Sequence, residues 1–167
     1  MALRTIREYG DEILEKPCKE VKHLTPGLAL LIGDMLDTMY DAGGVGLAAP
    51  QVGVLKRVCV IDVAGGDEEP CPYVFINPEI IEEDGEQEGY EGCLSLPGKS
   101  GIVKRPNHVK VRALDKKMQP FELEAEELLA RAICHEVDHL NGHMYVELVE
   151  GELVNNEDIE LEEETES

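Results

Sequence analysis

His135-Glu136-Val137-Asp138-His139 is the stretch that decides how this chain reads. At about 3.6 residues per turn, a helix puts His135 and His139 on one face, where both imidazoles can hold one metal ion. Glu136 adjoins the first imidazole and can reach a water at that ion without being a ligand. Two histidines and a nearby general base are the working parts of a metal-dependent hydrolase. Short patterns also arise by chance, and a pair of core histidines bonded to backbone carbonyls is the alternative. The flanks favour a helix. Residues 124–140 are mostly good helix formers, and Gly142 stands where a C-cap glycine belongs. Leu128, Ala132, His135 and His139 share one stripe, with Leu129, Ile133, Val137 and Leu140 on an apolar stripe beside it.

A third ligand has to come from elsewhere. In one branch of zinc proteases it is a histidine six residues after the second, and here that position is Tyr145. Upstream, Glu91-Gly92-Cys93-Leu94-Ser95-Leu96-Pro97 offers Cys93. A thiolate binds borderline divalent metals well. Cys93, His135 and His139 would leave a fourth position open, which distinguishes a catalytic site from a closed structural one. Taken alone, Cys93 also reads as an inert buried thiol. Further upstream lies Gly44-Val45-Gly46-Leu47-Ala48-Ala49-Pro50-Gln51. Its glycines allow close backbone approach to a ligand, and the Gln51 amide can donate to a developing oxyanion. It lacks the preceding strand and the later glycine of a dinucleotide-binding loop.

In this order and at this spacing, the three stretches resemble the peptide deformylase family of the bacterial type. That family carries Gly-x-Gly-x-Ala-Ala-x-Gln, Glu-Gly-Cys-x-Ser and His-Glu-x-x-His motifs, and the likeness runs from the N-terminus to about Leu148. The resemblance implies a hydrolase of N-terminal processing in protein biosynthesis. It would remove the formyl group from the formyl-methionine of nascent polypeptides and release formate. It implies Cys93, His135 and His139 as metal ligands and Glu136 as general base and acid. Gln51 and the Leu94 backbone N–H would serve as oxyanion donors, and Gly44, Val45 and Gly46 would face the substrate. It also implies one divalent ion per chain, iron(II), with zinc, nickel or cobalt as substitutes. Leu128 and Ala132, on the ligand stripe, suit an apolar pocket for methionine. Arg131 is expected to pair with Glu127 one turn earlier. Glu91 is expected to support a ligating histidine, with Arg105 as its cation. The rival readings are a zinc endopeptidase and a nonenzymatic metal-binding protein.

The rest of the sequence describes one α+β catalytic domain over residues 1–150, with antiparallel sheets packed around a central metal-binding helix and a separate N-terminal helix. Thr25-Pro26 opens that first helix, Leu28, Leu31, Met35, Leu36 and Met39 give it an apolar face, and Gly43 ends it. Strands are expected at 57–63, 73–77, 79–83, 101–105, 108–114 and 121–123, and residues 64–72 read as a surface loop. Five cysteines without a Cys-x-x-Cys pair argue against a disulfide framework and fit a reducing cytoplasm. There is no apolar run of membrane-spanning length and no signal-like leader. The net charge is −21, and the ten acidic residues from Glu147 onward face no Lys or Arg, leaving about −11 elsewhere. Such a surface disfavours nucleic acid and anionic membranes. Residues 151–167 read as an acidic, disordered tail. The ribosome is an expected partner by resemblance, although the basic C-terminal helix that serves docking in some relatives is absent.

Overall fold

The computed structural model describes residues 2–65 and 67–159. Five antiparallel strands form the larger sheet in the order β1-β2-β3-β6-β7: β1 Gly46–Ala48, β2 Val58–Ile61, β3 Tyr73–Asp84, β6 His108–Leu114 and β7 Pro120–Glu126. A smaller antiparallel sheet has the order β4-β5-β8, with β4 Gln87–Cys93, β5 Leu96–Arg105 and β8 Glu150–Asn155. Among the described residues the two long helices are α1 Pro26–Asp41 and α2 Glu127–Leu140. This is the expected α+β arrangement of antiparallel sheets around the histidine-bearing helix.

At β2 the larger sheet is buried on both faces, because this strand alternates its side chains between two cores. Cys59 and Ile61 join Phe75, Val109 and Val111 beneath Ile133, Val137 and Leu140 of α2. Val58 and Val60 face the other way and pack with Leu28, Leu31, Met35 and Met39 of α1. The Thr25 side chain accepts a hydrogen bond from Leu28 N at 3.1 Å, satisfying one of the free donors at the start of α1. At the end of α2, Gly142 adopts φ +85°, and a Cβ there would lie 2.7 Å from Glu15 O.

Several boundaries differ from the sequence reading. The two strands expected at 73–77 and 79–83 are one strand with a register shift at Asn77-Pro78. Asn77 has φ +51°, and its side chain bonds both Val21 N and Val21 O at 2.8 Å. The helix expected from 124 starts at Glu127, because β7 continues to Glu126 against β6. Strands β1 and β4 have no counterpart among the expected strands. Both are rich in Gly or charged residues and lack the apolar alternation that marks a strand.

The tail boundary also needs correction. Residues 151–155, assigned by composition to a disordered tail, belong to β8, which pairs with β5 through Lys99↔Asn155 and Ser100↔Val154. Backbone hydrogen bonds to an otherwise open strand edge hold this acidic segment, and charge counting does not see them. Residues 160–167 lie outside the described residues. Among the described residues, no helix is long and apolar enough to cross a membrane, and all five cysteines are free thiols.

Candidate active site

Helix α2 carries His135, Glu136 and His139 on its buried side, between the two sheets. The β4–β5 turn brings Cys93 to the same place. The ligand atoms of Cys93, His135 and His139 lie within 4.8 Å of one another, and Cys93 Sγ is 3.3 Å from His139 Nε2. The cluster sits at the floor of a cavity of about 750 Å³ lined by Gly44, Val45, Gly46, Gln51, Leu94, Leu128, Ala132 and Glu136, among others. All the sequence-derived site residues therefore gather here, with His139 fully buried beneath the lining.

Each imidazole has a distinct setting. His135 Nδ1 is 2.5 Å from Glu91 Oε1, which leaves Nε2 for a metal. His139 has Nε2 toward the sulfur, while its buried Nδ1 has no hydrogen-bond partner among the described residues. Burial, reinforced by the neighbouring His135, holds the His139 pKa well below the usual imidazole value. Neutral imidazole is the metal-binding form. One thiol and two imidazoles converging with a carboxylate behind one of them fit a divalent ion.

Glu91 anchors the second layer. Arg105 meets both of its oxygens, Nη2 to Oε1 at 2.6 Å and Nε to Oε2 at 3.1 Å, and Arg105 Nη1 also reaches Asp138 at 2.7 Å. Burial works against the Glu91 charge, but hydrogen bonds from His135 and Arg105 outweigh it and bring its pKa down to about 2. The expected Arg131–Glu127 pair does not form. Arg131 turns inward, donating to Glu91 Oε2 at 2.9 Å and to Val103 O at 3.2 Å. A buried carboxylate attracts a guanidinium more strongly than an exposed glutamate one turn away, and the Val103 carbonyl takes a further N–H.

Glu136 is almost fully buried, and its Oε1 has no partner among the described residues. Burial pushes its pKa up to about 7, a value suited to giving and taking a proton near neutrality. A Cβ at Gly46 would come within 2.5 Å of Glu136 Oε2, so only glycine lets this carboxylate lie against β1. Gln51 is fixed from both ends of its amide. Oε1 accepts from Ala48 N at 2.9 Å, and Nε2 donates to Ser95 Oγ at 3.0 Å while lying 3.5 Å from Cys93 Sγ. Leu94 packs over Gly44, where a Cβ would meet it at 2.6 Å.

Two further side chains shape the site without a signature of their own in the sequence. Ser95 is fully buried and orients Gln51; its place in the second motif was the available signal. Tyr145 stacks on His135 with ring centroids 5.8 Å apart. No spacing rule marks it, because the contact depends on the turn after α2.

With this geometry in view, the likeness to known proteins is specific. The family model described as polypeptide deformylase matches residues 3–153. The chain belongs to the polypeptide deformylase family. It is 64% identical over 153 residues to a peptide deformylase of Agathobacter rectalis, covering 92% of this chain and 94% of that one. A crystal structure of a peptide deformylase from Legionella pneumophila matches with a TM-score of 0.84 at 48% identity, over 89% of this chain and 87% of the other. A Met-Ala-Ser-bound deformylase structure from Acinetobacter baumannii matches with a TM-score of 0.83 at 34% identity, over 89% and 99% of the two chains. The family expectation is thus borne out. The endopeptidase and closed-site readings find no support.

Proposed function

We propose that this deformylase site hydrolyses the N-formyl group of formyl-methionyl polypeptides, with Cys93, His135 and His139 holding one iron(II) ion. The observation that carries the reading is the convergence of these three donors at the floor of a cavity that also admits Glu136 and Gln51. A borderline ion suits the mixed thiolate–imidazole donor set, and zinc, nickel or cobalt would fit it as well. When bound, the ion supplies Lewis acidity that acidifies water and polarises the formyl carbonyl.

The chain's own residues do the rest. Glu136 accepts the proton of the attacking water and returns one to the departing amine; its buried Oε1, which has no partner among the described residues, is free for both transfers. Gln51 Nε2 and the Leu94 N–H donate to the oxygen that becomes an oxyanion. Glu91 keeps His135 oriented through Nδ1. Val45, Leu128 and Ala132 form the apolar part of the cavity that takes the methionine side chain. The Gly44–Gly46 backbone lines the cavity, where an extended substrate can lie alongside it. The bound Met-Ala-Ser of the Acinetobacter relative is consistent with such an occupant. The ribosome, as the source of nascent formylated chains, is the partner we infer from this reading.

Formate release from formyl-Met-Ala-Ser by anaerobic iron(II) or nickel(II) protein tests the reading. Replacing Glu136 with Ala is expected to lower kcat by about 10³-fold or more while metal content stays near one per chain. A metal-loaded parent that releases no formate would overturn the function, and an active Glu136→Ala variant would overturn the role of Glu136. Iron-loaded protein is expected to lose activity in air as the thiolate oxidises.

A further inference from the structure

The N-terminal segment performs a task that no motif describes. Residues 2–8 have no regular secondary structure, yet they are pinned at both ends. On α1, Ala2 N donates to Asp34 Oδ1 and Arg4 N to Thr38 Oγ1, both at 3.0 Å, and Arg4 Nε donates to Asp34 Oδ2 at 2.9 Å. Asp34 and Thr38 are both buried. At the cavity, Arg7 N donates to Gln51 O and Tyr9 N donates to Ser95 O, each at 2.6 Å. N–H groups two residues apart on an extended chain point the same way. One edge of this segment therefore bridges two elements that are remote in sequence, the turn carrying Gln51 and the β4–β5 turn carrying Leu94 and Ser95. On either side of Arg7, Ile6 and Glu8 line the cavity.

We propose that residues 2–9 are a positioning strap for the oxyanion donors, acting through the backbone N–H groups of Arg7 and Tyr9. The proposal rests on the deformylase reading of the site. The Gln51 amide and the Leu94 N–H must converge on one oxygen although they belong to separate segments, and a misplacement of about 1 Å can cost about 10²-fold in rate. Local bonds set the direction of the Gln51 amide. The strap sets how far apart the two backbones stand. It also reaches the metal ligand, because Ser95 N donates to Cys93 Sγ at 3.4 Å. Loosening the β4–β5 turn removes that N–H donor from the sulfur.

The test compares an Arg7→Pro/Tyr9→Pro pair, which lacks both N–H groups, with Arg7→Ala/Tyr9→Ala, which keeps them. Each is loaded with cobalt(II), melted, assayed with formyl-Met-Ala-Ser and scanned for the thiolate-to-cobalt absorption band. The proline pair is expected to lose about 10-fold or more in kcat with KM changed less than about threefold. Its absorption band is expected to move to lower energy, because a thiolate with fewer N–H donors gives up an electron more easily. The alanine pair keeps the parental kcat and band. A folded, cobalt-loaded proline pair with parental kcat and band overturns the strap, as does an alanine pair that loses as much as the proline pair. If the double variant does not fold, Tyr9→Pro alone, with the Arg7 bond and the α1 anchors intact, is judged by the same outcomes. A parent that releases no formate would defeat the deformylase reading, and the shift of the band between the two pairs would still judge the strap.

Discussion

Glu91 and Glu122 are both strand glutamates within reach of two basic side chains, but they do different work. Glu122 sits on β7 with Arg112 at 3.2 Å and Lys110 at 3.6 Å, and its side chain is 44% exposed. Glu91 sits on β4 with Arg105 at 2.6 Å and Arg131 at 2.9 Å, and its side chain is 5% exposed. Water screens the first cluster and leaves each partner free to re-solvate. The second cluster has exchanged water for a lattice in which every charge depends on the others. Through His135 on one side and Asp138 on the other, that lattice ties β4, β5 and α2 together. Burial, more than the number of ion pairs, makes the arrangement consequential. A buried pair is weak evidence of net stability, but removing one member leaves an uncompensated charge.

The sharpest way to break this contrast is Glu91→Ala. Two buried guanidinium groups would lose a carboxylate, and Arg105 would keep only Asp138. We expect a loss of about 3–5 kcal/mol in urea unfolding. Metal affinity should fall about 10- to 100-fold as His135 loses its acceptor. If Glu91→Ala and Glu122→Ala unfold at similar urea concentrations with metal content unchanged, the comparison fails.

A second test uses the other buried carboxylate. Glu136 has a pKa of about 7 in the metal-free fold against 4.5 for an ordinary glutamate. Between these values the folded protein keeps a proton that the unfolded chain has released. Stability of the metal-free protein therefore falls as pH rises from 4.5 through 7, and the penalty is complete above 7. It amounts to about 3 kcal/mol at most. Metal-free Glu136→Gln should escape it, so its stability advantage over the parent should grow between pH 5 and 8 and then flatten. A difference in urea midpoint that does not vary with pH would show that Glu136 is charged throughout.

Arg131→Ala is expected to be milder, about 2 kcal/mol, because Glu91 retains Arg105 and His135. A double-mutant cycle with Glu91→Ala should show coupling of the same order, since the two residues share one network. Additive losses would mean that Arg131 acts mainly through the Val103 carbonyl.

The legibility of the site follows the range of the interactions. His135 and His139 were readable because helical spacing alone places them together, and Cys93 because its motif marks it. The family pattern suggested Arg105 for Glu91, and the two residues are bonded. Arg131 was misread because its helical neighbour Glu127 was the nearest acid in sequence, whereas its partner lies 40 residues away. Strand β8 was missed for a related reason. Its residues look like a solvated acidic tail, and its order comes from backbone pairing with β5, which leaves no mark on composition. In the fold as a whole, the apolar alternation of 108–114 gave strand bounds identical to those observed. The Gly-rich β1 and charged β4 carry no such periodicity.

The smallest expected effect is the one that gives the comparison its control. Glu122→Gln removes a charge from an exposed cluster in which Arg112 and Lys110 both remain hydrated. The Glu122 carboxyl is held below its ordinary pKa, first by the hydrogen bond from Arg112 and then by the charge of Lys110. Its contribution is therefore present at neutral pH and is lost as pH falls through the carboxylate range. At low salt the melting temperature should move by no more than about 2 °C. Raising ionic strength should erase even that, because the Debye length shrinks to about 3 Å at 1 M. Glu91→Gln in the same salt series should keep most of its loss, since ions cannot enter the lattice beneath His135. A salt-resistant loss at Glu122, or a salt-erased one at Glu91, would show that the two clusters differ less in burial than the geometry requires.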